Sequence, residues 1–388
     1  MTPVTDPSST TSSKAVTLES ISGAALAAAP GVVSVDLDAL IANWRKLSSR
    51  SVPAECAAVI KADAYGCGLS TVAGALAAAG CKTFFVATLA EARAARGAAK
   101  TATIYVLDGC FVGTAPAFAE INARPVIGDL EELAEWDAYC KQSGWSGGAA
   151  IHIDTGMNRL GLSIGEAQAL LPRVQKGDHG FKLVMSHLVC AEALDHPMNS
   201  RQVRAFQDIA LAYAGIPASL SNSSGVFLSP QFQFDLMRPG AALYGINPTP
   251  EADNPMQQVV TLKARIVHVR EVEAGATVGY GATWSARRAS RIAVVAAGYA
   301  DGYHRGASGA EVVVAGRRCP LVGRISMDLL AVDVTDLPAN AVRRGHLATL
   351  IGEGITVDEL ARHFGTIGYE VLTSIGRRFP RVYRGGAV

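Results

Sequence analysis

Lys61 stands at the end of a run of small apolar residues, in "AAVIKADAYGCG" (57–68), a setting in which lysine is rare. Taking an ammonium out of water is costly, so a lysine at the tip of a buried strand needs a partner or a chemical task. Three tasks suit it: a point charge for a phosphate, a counter-ion for a buried carboxylate, or an amine that forms a Schiff base. Two further stretches bear on the choice. "SNSSG" (221–225) supplies Asn222, Ser223 and Ser224 ahead of Gly225. Such a turn leading into a short helix is a cradle of hydroxyls and backbone N–H groups for a phosphate. "RPGAALYG" (238–245) sets Arg238 beside Gly240 and Ala241, small residues that let the backbone approach a ligand closely. A lysine, a phosphate nest and an arginine on one rim match what pyridoxal phosphate requires: an amine, an anion site and a group facing the ring nitrogen.

These residues must be positioned by a scaffold, and the hydrophobic pattern supplies one. The runs "AAVIK", "FFVAT", "TIYVLD", "ARPVI", "AAIHID", "KLVMSH", "SLSNS" and "FDLMRPG" alternate with helical patterns such as "STVAGALAAAG" and "RQVRAFQDIALAYAG". Continuous apolar runs, rather than alternating ones, mark strands buried on both faces. Eight of them, most separated by a helix, predict an α/β fold of the (β/α)8 TIM-barrel type. The runs finish in Lys61, Thr88, Asp108, Asp154, His187, Ser223 and Arg238. Each taken singly is merely a first loop residue; together they suit a barrel, whose site gathers at the C-terminal ends of its strands.

Beyond about residue 258 the character changes to β-branched runs punctuated by glycine, which predicts a mainly antiparallel β-domain. One helix, "TVDELARHFG", carries Thr356 as its cap with Glu359 three residues on. The division is then a disordered Ser/Thr-rich tail over 1–31, a barrel over 32–257 and a β-domain over 258–388, with the boundary in the Pro-rich "INPTPEADNP". A net charge of +1 offers no footprint for nucleic acid or an anionic membrane. Apolar stretches fall short of a membrane span, and the opening residues lack the basic start of a signal peptide. Seven cysteines without C-x-x-C spacing suit a reducing cytoplasm. His152, His187 and Asp154 lack metal-ligand spacing, so no metal is expected.

"KADAYGCG", "HIDTGMNRLGL", "SNSSG", "RPGAALYG", "YGATW", "GYADGY", "VGRISMD" and "GTIGYE" follow one another in order. With them the chain closely resembles bacterial alanine racemase from roughly residue 32 to 384. The resemblance implies a pyridoxal-phosphate barrel followed by a β-domain, with the first strand, near 32–36, a candidate for pairing with the second domain. It implies interconversion of L- and D-alanine for peptidoglycan by two bases. Lys61 matches the Schiff-base lysine, which also serves as the base on the D-face. Tyr280 matches the L-face base, supplied by the partner of a homodimer. Tyr65, Asn222, Ser223, Gly240, Ala241 and Tyr369 fall where relatives hold the cofactor and its phosphate. Arg238 matches the arginine at the pyridine nitrogen, with His187 behind it. Arg159 and Met327 match substrate-contacting residues, Asp328 a residue supporting the Met327 loop, and Tyr299 a tyrosine lining the entrance. Taken alone, Tyr280 is an ordinary core or rim tyrosine, and Met327 gap-filling core; only their settings promote them.

One departure stands out. Many relatives carry a lysine where this chain has His152; its carbamate positions the arginine matching Arg159. Histidine forms no such stable carbamate, which leaves a contact from the neutral imidazole, or an anion, to hold Arg159. Two alternative functions remain at this level: a racemase of broader or serine specificity, and a non-catalytic pyridoxal-phosphate-binding barrel. The second domain, with Tyr280 and Met327, disfavours the latter.

Overall fold

The computed structural model describes residues 28–177, 180–307 and 309–386. Most of the Ser/Thr-rich tail, residues 1–27, lies outside the described residues. The first strand, Gly31–Asp36, alternates buried and half-buried positions, with Val33 and Val35 facing inward. That is the period of a strand with one buried face. It pairs antiparallel with Val260–Val272 and parallel with the edge strand Arg381–Arg384, so it belongs to the second domain's sheet. Asp36 then caps helix Leu37–Ser51, its carboxylate accepting from the Ala39 amide at 2.8 Å. Leu40, Ile41, Trp44 and Leu47 form the buried face of that helix. Buried Asn43 donates to Leu243 O (3.1 Å) and Gln257 O (2.8 Å) and accepts from the Gln257 amide, tying the helix to the crossing between the domains.

All eight apolar runs are strands. Ala58–Val59, Thr83–Val86, Thr103–Val106, Arg124–Ile127, Ala149–His152, Phe181–Met185 and Ala218–Ser219 form one parallel sheet in chain order. The eighth, Leu236–Met237, pairs parallel with Glu55–Cys56, which leads through Ala57 into the first strand of the sheet. Flanking amides complete the ring. Asp235 donates to Ala218 O and Arg238 to Ser221 O, while Val59 donates to Pro239 O, each at 2.9 Å. Both faces of these strands are covered: Phe84 and its register partner Ile104 are fully buried on one face, while Phe85 and Tyr105 stack on the other with centroids 5.0 Å apart, as expected of a packed barrel.

The second domain is an eight-stranded sheet in which Val260–Val272 pairs with Leu347–Ile351 on one side and also with Ser290–Val295. Its pairings are antiparallel apart from that between the first and last strands. Thr356 caps helix Val357–Phe364 by accepting from the Glu359 amide at 3.1 Å. The Glu359 carboxylate turns outward to Arg318 instead, at 2.7 Å. Among the described residues no helix is long and apolar enough to cross a membrane.

Candidate active site

Strand Ala58–Val59 ends at Ile60, whose amide donates to Phe85 O at 2.8 Å, and Lys61 follows at once. The next four residues, 62–65, have φ of 54, 53, 54 and 54°, a left-handed turn built without glycine. L-residues pay about 1–2 kcal/mol each for that conformation. The turn is closed by Ala64 N donating to Ile60 O (3.0 Å) and Gly66 N to Ala62 O (2.9 Å). Its effect is to place Lys61 and Tyr65 on one wall of a cavity of about 690 Å³. The Tyr65 ring stacks on buried Tyr244 with centroids 4.6 Å apart and meets the edge of Tyr369 at 6.2 Å.

The adjoining wall comes from the last two barrel strands, which close the ring beside Ala58–Val59. Ser223 Oγ accepts from the amides of Gly240 (2.9 Å) and Ala242 (3.2 Å), and Asn222 Oδ1 accepts from the Gly225 amide (3.0 Å). With its lone pairs so engaged, the Ser223 hydroxyl has its proton free to donate. A Cβ built on Gly240 would collide with the Tyr65 phenol oxygen, and would lie 3.2 Å from Val59 Cβ. Glycine is therefore required for the loop to come this close.

Arg238 is 4% exposed. Its Nη1 donates to Ser219 Oγ and its Nη2 to Ser186 O at 2.5 Å, and the guanidinium lies 5.8 Å from the Phe85 ring centroid. All these partners are neutral, and none of the ion pairs among the described residues includes Arg238. Burial accordingly pushes its pKa down to about 9. Burial, and then the charge of Arg238, push His187 down to about 3 and His152 to about 4, so both imidazoles are neutral at cellular pH. Lys61 is lowered too, first by burial and then by Arg159, with Asp108 and Glu91 opposing.

The cavity is thus lined by Lys61, Tyr65, His152, Arg159, His187, Asn222, Ser223, Arg238, Gly240, Ala241 and Tyr369. His152 and Arg159 share it with no hydrogen bond between them among the described residues. The remaining expected residues lie elsewhere. Tyr280, in the turn Tyr280–Ala282, is 68% exposed; Met327 is 53% and Tyr299 42% exposed, all on the second domain. Tyr299 and Met327 belong together, because the amides of Tyr299 and Ala300 donate to Ser326 O (3.1 Å) and Met327 O (3.0 Å). Asp328 accepts from Arg378 Nη1 at 2.7 Å, while Arg378 Nε and Nη2 fork onto buried Asp301 at 2.7 and 2.8 Å.

Sequence reasoning missed several participants. Ile367, Glu370 and Thr373 line the cavity beside Tyr369; the first two lie within the "GTIGYE" stretch and Thr373 one helical turn beyond Tyr369. The Asp301–Arg378–Asp328 brace spans the second domain and leaves no signature in spacing. Glu91 is visible as the third residue of a capping box begun by Thr88, but its second contact is not.

The comparisons with known proteins agree with this geometry. Residues 35–248 match the family model for the alanine racemase N-terminal domain, and residues 259–383 that for the C-terminal domain. Alanine racemase of Methylobacterium sp. (strain 4-46) is 53% identical over 352 residues, covering 90% of this chain and 97% of the relative. The biosynthetic alanine racemase of Agrobacterium fabrum is 44% identical, covering 92% and 94%. The crystal structure of alanine racemase from Bartonella henselae with covalently bound pyridoxal phosphate superimposes with a TM-score of 0.87 at 36% identity, covering 92% of this chain and all of that one. Barrel and second domain are both those of one family, and the chain belongs to the alanine racemases.

Proposed function

We propose that this chain interconverts L- and D-alanine, using pyridoxal phosphate carried by Lys61, and so supplies D-alanine for peptidoglycan. The observation that carries the reading is the convergence, on one cavity, of a lysine of lowered pKa, a hydroxyl-and-amide cradle and a buried arginine without an anionic partner. The cofactor fits these residues. The Gly240 backbone comes too close to Tyr65 to tolerate a Cβ, leaving Ser223, Tyr65, Asn222, Ala241 and Tyr369 to hold the phosphate. The Arg238 guanidinium, satisfied only by neutral acceptors, can also face a neutral ring nitrogen without a second cation being forced into the site. When bound, pyridoxal phosphate supplies an electron-withdrawing ring that makes the amino-acid Cα–H acidic enough to be removed.

The chain's own groups then divide the proton work. Lys61 Nζ, its pKa lowered by burial and by Arg159, gives up its proton more readily than a free lysine and serves one face of Cα. Tyr280 Oη serves the other, and Arg159 holds the substrate carboxylate, with Met327 and Tyr299 bounding the substrate's approach. Tyr280 is exposed and absent from the cavity of its own chain, which supports a homodimer in which each site takes this tyrosine from the partner. Seven free cysteines support a cytoplasmic setting. The test starts from L-alanine and from D-alanine separately, with L-serine in parallel, and follows optical rotation. Both alanine enantiomers should reach the same racemic end point, and Lys61→Ala should show no change. An intact enzyme that binds pyridoxal phosphate but leaves both enantiomers unchanged would refute the reading, and an equal rate on serine would refute the narrow specificity.

A further inference from the structure

Glu91 is the third residue of helix Leu89–Ala98, and only one of its carboxylate oxygens serves that helix. Oε2 accepts from the amides of Ala87 (2.8 Å) and Thr88 (3.2 Å), while Thr88 Oγ1 accepts from the Glu91 amide (3.2 Å). The other oxygen leaves the helix. Oε1 accepts from the amides of Ala62 at 2.6 Å and Asp63 at 3.3 Å, the first two amides after Lys61. One carboxylate thereby joins the C-terminal ends of two neighbouring barrel strands, Ala58–Val59 and Thr83–Val86.

Helix capping does not require this second set of bonds; the left-handed turn does. A backbone with four successive non-glycine residues near φ +54° persists only where its surroundings over-determine it. The opening amides of any helical turn lack partners within the turn, and here they are the two that Glu91 takes. The far end is held by Asp63, whose backbone oxygen accepts from Gly68 and whose Oδ1 accepts from the Leu69 amide, at 2.9 and 2.8 Å. Lys61 sits at the junction, fixed on one side by the strand and on the other by Glu91.

We propose that Glu91 is a positioning residue for Lys61: its second carboxylate oxygen locks the left-handed turn that presents the amine to the cavity. The inference rests on Lys61 being the amine that carries pyridoxal phosphate. Glutamine cannot replace Glu91, because its single oxygen serves one pair of amides while its NH₂ group confronts the other pair donor to donor. Aspartate keeps both oxygens but is one methylene short of spanning the two strand ends.

The test compares Glu91→Gln, Glu91→Asp and Thr88→Ala in the full chain, with and without pyridoxal phosphate. Thr88→Ala weakens the same helix cap and leaves the turn's acceptor in place, so it reports what helix destabilisation alone does. Amide hydrogen exchange at residues 62 and 63 should accelerate about tenfold or more in both Glu91 variants, from the loss of a charged acceptor, and stay unchanged in Thr88→Ala. The fraction of chains with pyridoxal phosphate fixed on Lys61 by borohydride should fall in step, and kcat should fall by more than KM changes. Exchange at 62 and 63 unchanged in the Glu91 variants, or equally accelerated in Thr88→Ala, overturns the proposal. Should Glu91→Gln not fold, Glu91→Asp carries the same comparison. A wild-type chain that fixes no cofactor on Lys61 would sink the functional reading, while the exchange data would still decide the role of Glu91.

Discussion

Gly240→Ala tests the packing that builds the proposed phosphate cradle. The added methyl would collide with Tyr65 Oη and lie 3.1 Å from Tyr65 Cζ and 3.2 Å from Val59 Cβ. The phenol can yield only by leaving its stack 4.6 Å from Tyr244, which is itself buried and donates to Val59 O at 3.2 Å. Gly240 has a negative φ of −124°, so the substitution acts through sterics and not through backbone strain. Inserting a methyl into such packing costs about 1–3 kcal/mol. If that cost falls on the cradle, pyridoxal phosphate binds roughly 5- to 150-fold more weakly. Tyr65→Phe alone removes one hydrogen-bond donor, worth about 1 kcal/mol. Tyr65→Phe also removes the colliding atom, so the double variant should bind better than the sum of the two single losses allows. Absorbance titration of the cofactor-free chain with pyridoxal phosphate completes the double-mutant cycle. Gly240→Ala with wild-type affinity, or strict additivity in the double variant, would refute the contact.

Two further outcomes follow from the same geometry. His187 and His152 are pushed down to about 3 and about 4 in the folded chain, so the unfolded chain takes up protons first as pH falls below about 6.5. Stability should therefore be lost between pH 6.5 and 4 at about 1.4 kcal/mol per pH unit for each histidine, with no contribution from them above pH 7. Denaturant unfolding across that range should show a shallower slope for His187→Asn, and an unchanged slope would count against a buried neutral imidazole there. Arg378→Lys cannot reproduce the fork onto Asp301 or reach Asp328 at the same time. It should cost about 1–3 kcal/mol of stability and lower kcat/KM by loosening the Tyr299 and Met327 loops; a variant with full activity would show the brace to be dispensable.

The barrel was legible because its strands are buried on both faces and so read as unbroken apolar runs ending in polar residues. "FFVAT" and "KLVMSH" became strands with almost every position buried. Three barrel strands are only two residues long, Ala58–Val59, Ala218–Ser219 and Leu236–Met237, and the closure of the ring among them rests on flanking backbone bonds that no local pattern announces. The left-handed turn after Lys61 was hidden for a different reason. "ADAY" contains no glycine, and alanine favours right-handed helix, so local propensity points away from the structure. What overrides it is tertiary: Glu91 from the neighbouring strand end, and Tyr244 beneath Tyr65. The pairing of Gly31–Asp36 with Arg381–Arg384 likewise joins the first and last strands among the described residues, beyond the reach of any periodicity.

In the proposed site Lys61 comes from one chain and Tyr280 from another, and mixing two inactive variants would reveal that sharing. Lys61→Ala and Tyr280→Phe are each expected to be nearly inactive alone. Co-refolded in equal amounts, half the dimers should be mixed, each with one site carrying both substitutions and one carrying neither. About a quarter of all sites would then be intact, from the two-fold symmetry of an isologous dimer, and racemisation of alanine should return to about that fraction of wild type. Activity that stays at the level of the separate variants, despite proven mixed dimers, would contradict the shared site.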